Sequence, residues 1–182
     1  MKNLTVIAIA ILILSLFSSC AETPSQEDMS ETSSINYSDE IFSENKPVSD
    51  DNSVAKQLER EFFTLVESDG ITDAQTIADR LLASSVISFS GVASPVSTDM
   101  ITGFGEAEIS GFSNAVSFAP MISTIPFMGY IFELDDNTDK QAFIKNLEDS
   151  ADMSWNKCTS ADETIITSSG NIIFFVMAPV SF

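Results

Sequence analysis

From Val54 to Glu67 apolar residues return every three or four positions: Val54, Leu58, Phe62, Leu65 and Val66. That spacing predicts an amphipathic helix, with Ser53 as its N-cap and Asp69-Gly70 as its stop. A second helix is expected from about Asp73 to Ala83, with Ala74, Ile77, Ala78 and Leu81 on its apolar face and Thr72-x-x-Gln75 as a capping box. A third runs from about Asp139 to Asp149, with Phe143, Ile144 and Leu147 facing inward and Thr138-x-x-Gln141 as its capping box.

Elsewhere the pattern shortens to strand-like runs. Val86–Phe89 is a short candidate, and Glu106–Ala119 a longer one in which Gly111 marks a bulge or bend. Phe127–Leu134 is almost wholly apolar, which suits a central strand covered on both faces. Thr164–Thr167 and Asn171–Ala178 flank Ser168-Ser169-Gly170, a hairpin signal, and Ile172–Met177 is the strongest strand. The order α-α-β-β-β-α-β-β predicts an α+β domain with a mainly antiparallel sheet, about three helices, and those helices on one face.

The patterning begins at residue 53. Residues 20–52 hold 8 apolar residues of 33, with 9 acids and one base, Lys46. Such a composition cannot bury enough surface to offset chain entropy, so it reads as a disordered acidic tether. As a coil it reaches roughly 30 Å. Before it, Lys2 and the apolar run Leu4–Phe17 make residues 1–19 a signal peptide, too short to span a bilayer as a permanent helix. The run ends in Ser18-Ser19 directly before Cys20. Small residues followed by cysteine resemble the bacterial lipobox, although Phe17 stands where Leu is usual. The resemblance implies that the signal is cut before Cys20 and the thiol diacylated, leaving the chain lipid-anchored on the extracytoplasmic face of the cell membrane. Two acyl chains anchor stably, at about 0.8 kcal/mol per buried methylene. An ordinary secretory signal is the alternative. Residues 53–182 are then a single α+β domain, with 59 of the 80 apolar residues.

Charge narrows the partners. The chain carries 27 Asp+Glu against 8 Lys+Arg and no histidine, a net charge of −19. About −8 belongs to the tether and −12 to the domain, from 18 acids and 6 bases, and Lys2 adds +1. So acidic a chain is a poor ligand for nucleic acid, which is not expected as a partner. Without histidine, Ser-His-Asp and Cys-His catalysis are excluded. If Cys20 is acylated it cannot form a disulfide, and Cys158 is left alone; it reads as a buried small hydrophobe.

Candidate chemistry is sparse. Asp135-Asp136-Asn137-Thr138-Asp139 resembles the start of a calcium loop, but Lys140 and Asn146 stand where Gly and a bidentate Glu are needed. A polar turn is the simpler reading, with weak calcium binding as an alternative. Glu106 and Glu108, two apart on a strand, would share a face and could serve a carboxylate-based envelope hydrolase, the other alternative. Gly103-Phe104-Gly105 lacks the spacing and the Lys of a phosphate loop and reads as a turn. The segment from Pro120 to Met128 is the candidate binding surface. Its two prolines, Pro120 and Pro126, bracket Met121 and Ile125, and Phe127 and Met128 follow. It either packs on the core or presents an adaptable apolar surface to a partner. Trp155, the single tryptophan, either closes the core edge or anchors an interface.

Ala151, Asp152, Trp155, Cys158, Gly170 and Phe174–Met177 together resemble uncharacterised lipoproteins of Gram-positive, clostridia-like bacteria, over roughly residues 100–178. The resemblance implies a lipoprotein and carries over no catalytic residue. The sequence therefore predicts a membrane-anchored binding domain, not an enzyme, with no cofactor and no metal, contacting a protein or cell-envelope partner.

Overall fold

The computed structural model describes residues 51–97, 101–122 and 124–182. The signal, Cys20 and nearly all of the tether lie outside the described residues. The elements run α1 (Val54–Phe63), a π-helical turn (Thr64–Ser68), α2 (Ala74–Leu82), β1 (Gly91–Pro95), β2 (Phe112–Pro120), β3 (Met128–Leu134), α3 (Lys140–Ser150), β4 (Glu163–Ser169) and β5 (Ile172–Ala178). The five strands form one sheet in the order β1-β2-β3-β5-β4, and every neighbouring pair is antiparallel. The fold is α+β.

Covering both sheet faces follows from the strands themselves. Every residue of β5 is buried, and β3 is nearly as enclosed, so each needs apolar cover above and below. On one face, Val116, Phe118, Ile131, Phe174 and Val176 pack against Leu58 and Phe62 of α1 and Ile77 and Leu81 of α2. On the other, Tyr130, Phe132, Phe175 and Met177 pack against Phe143 and Leu147 of α3 and against Phe104 and Ile109. The expectation that all helices share one face is thus corrected: α3 lies opposite α1 and α2.

Helix starts carry a second lesson. Ser53 caps α1 as expected, its Oγ accepting from Lys56 N at 3.2 Å. For α2 the cap is Asp73, not Thr72; its carboxylate accepts from Thr76 N and Thr76 Oγ1, and these bonds hold its pKa below the usual value. For α3 the cap is Asp139, not Thr138. The Thr138 hydroxyl instead donates to the Gly111 carbonyl at 2.7 Å. Two strand glutamates add to these caps. Glu133 on β3 accepts from Ala74 N at 2.9 Å, and Glu163 on β4 accepts from Ser53 Oγ at 2.9 Å and Ala55 N at 3.3 Å. Each puts a carboxylate at the positive end of a helix dipole.

Two strand boundaries also move. Val86–Phe89 is not a strand; β1 begins at Gly91, where a side chain would collide with Leu82 of α2. Residues 106–110 are loop, and β2 starts only after Gly111, whose φ of 98° breaks the extended run. Phe104 is buried between Gly103 and Gly105, both at positive φ, so that tripeptide is a turn as expected. The first helix is tied to the far end of the chain by a bond from Val54 N to Val180 O at 3.0 Å.

Candidate binding surface

The connection between β2 and β3 is anchored at both ends and apolar at its tip. Pro120 closes β2, and Met121 N donates to Ser90 O at 3.0 Å, holding the tip against the segment that enters β1. Met121 and Ile122 then stand 70% and 68% exposed. Beyond them the chain turns back: Phe127 N bonds Ile125 O, Ile125 and Pro126 are half-buried, and Phe127 is buried. The Phe127 ring packs on Phe89 at 5.1 Å and Phe118 at 5.8 Å. Phe182 lies edge-on to Phe89 at 5.2 Å, yet remains 44% exposed. An aromatic base thus fixes the hairpin, while Met121, Ile122 and one side of Phe182 meet solvent.

The residues singled out from sequence divide. Met121 reaches solvent; Pro120, Ile125 and Pro126 form the stem; Phe127 belongs to the core under α1 and α2. Met128 pairs with Met177 and packs on the opposite face of the sheet. Trp155 is half-buried on that opposite face as well, in the turns after α3, so it is not brought together with the hairpin tip. Ile122 and Phe182 complete the apolar end. Phe182 went unmarked in the sequence because it follows Pro179 outside any periodic run.

The expectation that Cys158 is buried is corrected: it is exposed, next to Lys157, which adopts a left-handed φ of 55° in the turns after α3. Glu106 and Glu108 are exposed in the loop before β2 and do not share a strand face. Asp135 and Asp136 are exposed in the turn before α3, and Asp139 is engaged at Gln141 N and Ala142 N. Among the described residues no group of three or more acids or cysteines is placed to hold a metal ion. Glu133 and Glu163, both half-buried, are engaged at helix N-termini.

One groove escaped the sequence reading. An open cleft of about 320 Å³ lies between the end of α1 with its π-helical turn and the C-terminal end of α2. Glu61, Thr64, Asp69, Arg80 and Ser84 supply its polar wall. Ser84 Oγ donates to Glu61 at 2.7 Å, and Arg80 makes no ion pair with a described residue. Helical periodicity of 3.6 predicts an uninterrupted helix here and carries no mark of the extra backbone residue.

No helix among the described residues is long and apolar enough to cross a membrane. No family model, characterised protein or solved structure matches the chain.

Proposed function

We propose that this chain is a lipoprotein held at the extracytoplasmic face of the cell membrane by acylated Cys20, and that its domain binds a protein or cell-envelope partner through the β2–β3 hairpin tip without catalysing a reaction. The acidic tether of residues 20–52 gives the domain reach from the lipid surface. The observation that carries the binding reading is the pair Met121-Ile122, more than two-thirds exposed on a hairpin whose base is fixed by packed aromatic rings. An exposed apolar pair on a rigid stem costs little ordering entropy on docking. Burying both side chains contributes about 4 kcal/mol. The partner is not an anionic polymer, because a domain of net charge −12 is repelled by one.

Two experiments separate the anchor from the binding. Cells producing the full chain are fed a clickable palmitate; labelling that is lost in Cys20→Ser supports the anchor, and equal labelling of both refutes it. A photo-cross-linking residue at Ile122 in the full chain is then activated on intact cells. A discrete adduct that disappears in a Met121→Glu chain of unchanged melting temperature supports the binding surface. Adducts no different from those formed by a probe at exposed Asp136 refute it.

A further inference from the structure

The sheet has two edges, and they are finished differently. At β1 the bond from Val96 N to Ala115 O, 2.9 Å, sets the phase: residues 92 and 94 exchange bonds with β2, while Gly91, Ala93 and Pro95 turn their backbone groups outward. That outward row is blunted. Gln75 of α2 donates to the Ala93 carbonyl at 3.4 Å, and Pro95 has no N–H. At β4 the two-residue turn Gly170-Asn171 makes Ser169 and Ile172 the closing pair. Glu163, Ile165, Thr167 and Ser169 therefore exchange bonds with β5, and Thr164, Ile166 and Ser168 direct their N–H and C=O groups away from the sheet. None of those backbone groups bonds a described residue. The strand has an unbroken register, no proline and no lysine, so it lacks the usual devices that protect an edge.

We propose that β4 is a self-association edge: a second copy of the chain pairs with it antiparallel, about a two-fold axis at Ile166, joining two five-stranded sheets into one. Three observations favour a second copy over an unrelated strand. Two-fold pairing sets Thr164 against the partner's Ser168, Ile165 against the partner's Thr167, Ile166 against its own copy and Glu163 against the partner's Ser169, so no like charges face one another along the strand. The ends are complementary. The Lys140 ammonium bonds the Gly170 carbonyl at the turn end and Asp162 stands at the other, so antiparallel docking brings each lysine toward the partner's Asp162; Glu163 is turned to the start of α1 on the opposite face. Glu67, which accepts from Ser169 at the turn end, offsets part of that attraction. Finally, Thr164–Ser169 is an uncharged strip in a domain of net charge −12, where two copies can meet without desolvating carboxylates. Three facing pairs then exchange two backbone bonds each.

The test is sedimentation equilibrium of the full chain carrying Cys20→Ser and Cys158→Ser, over a wide range of concentration. A dimer is expected. Ile166→Pro removes an outward N–H while leaving the bonds to β5 intact, and so should raise the dimer Kd on the order of thirtyfold; because Ile166 also packs on the α3 side of the core, circular dichroism checks that the variant is folded. Thr164→Lys with Ser168→Lys sets lysine against lysine across the axis and should also dissociate the dimer. Ile166→Cys faces its own copy at a Cα separation of about 5.5 Å and should form an intermolecular disulfide on mild oxidation, whereas Ala93→Cys on β1 should not. A chain that is monomeric throughout overturns the proposal. So does a dimer that survives both edge variants, or one that cross-links equally through residue 93.

Discussion

Gly129 is the position at which the smallest change should do the most damage. It sits in β3 directly opposite Phe118 of β2. A methyl group at Gly129 would overlap the Phe118 ring. That ring has little room to retreat, since it is fully buried, with Phe127 at 5.8 Å and Phe174 at 6.4 Å. Overpacking a filled core costs about 1–3 kcal/mol, and the closed surroundings of Phe118 place Gly129→Ala near 3 kcal/mol. Native domains are stable by about 5–15 kcal/mol, so the variant should fold but with much of its margin gone. With a urea slope of about 2 kcal/mol/M, the unfolding midpoint should fall by about 1.5 M. Phe118→Leu removes the obstructing ring. Alone it leaves a cavity and destabilises, but combined with Gly129→Ala it relieves the overlap. The double variant should therefore be more stable than the two separate costs predict, by more than about 1 kcal/mol. Urea titrations of the four proteins, read by tryptophan fluorescence and circular dichroism, measure both quantities. A midpoint shift below about 0.3 M for Gly129→Ala, or strict additivity in the cycle, would show that the close Phe118–Gly129 packing does not constrain the sheet.

Two further outcomes rest on polar groups. The buried Tyr130 hydroxyl donates to the Thr102 carbonyl at 2.8 Å, and burial pushes its pKa up to about 12. The unfolded phenol ionises near 10, so this contribution is complete below about pH 10 and is lost as pH rises toward 12, by up to about 3 kcal/mol; urea titrations across that range should show the fall, and Tyr130→Phe should flatten it. Ser53→Ala removes both the cap on Lys56 N and the hydroxyl donor to Glu163, and should cost about 1–2 kcal/mol in the same assay; a cost under about 0.3 kcal/mol would mean that water replaces both bonds.

Local pattern was enough for elements whose stabilising contacts lie nearby in the chain. The α1 face, its Ser53 cap and the existence of the β4–β5 hairpin are spelled out within a few residues of themselves, although the turn is Gly170-Asn171 and Ser168 and Ser169, expected in it, pair within β4. Both misplaced caps fall on a Thr-Asp pair, where either side chain can serve. Thr138 is drawn off to Gly111, a partner 27 residues away, and nothing near Thr138 announces that. The side of the sheet taken by α3 was hidden in the same way, although wholly apolar β5 already required cover on two faces. In β1, Gly, Ser and Pro outnumber strand-forming residues, so propensity pointed to Val86–Phe89; pairing with β2 and close approach to α2 overrode it. The Pro120–Met128 segment was recognisable as unusual, but its division into exposed tip, stem and core depends on which face each residue meets, and that is set by β1, α2 and the C-terminal ring of Phe182.

The central place of β5 also bears on when the domain can form during synthesis. Residues 172–178 supply the partner of both β3 and β4, and β4 has no other neighbour in the sheet. Before those residues have been made, β1–β2–β3 lacks Phe174 and Val176 beneath its helices and Phe175 and Met177 on its other face, while α1 lacks its tie at Val180. Neither apolar layer can close on a nascent chain. Folding must therefore wait for translation to pass residue 180 and then proceed through long-range strand pairing, which is slow to nucleate. The polypeptide thus has an interval in which residues 53–171 are made yet their apolar surfaces are still uncovered, the state in which a chain is most open to aggregation and to capture by chaperones.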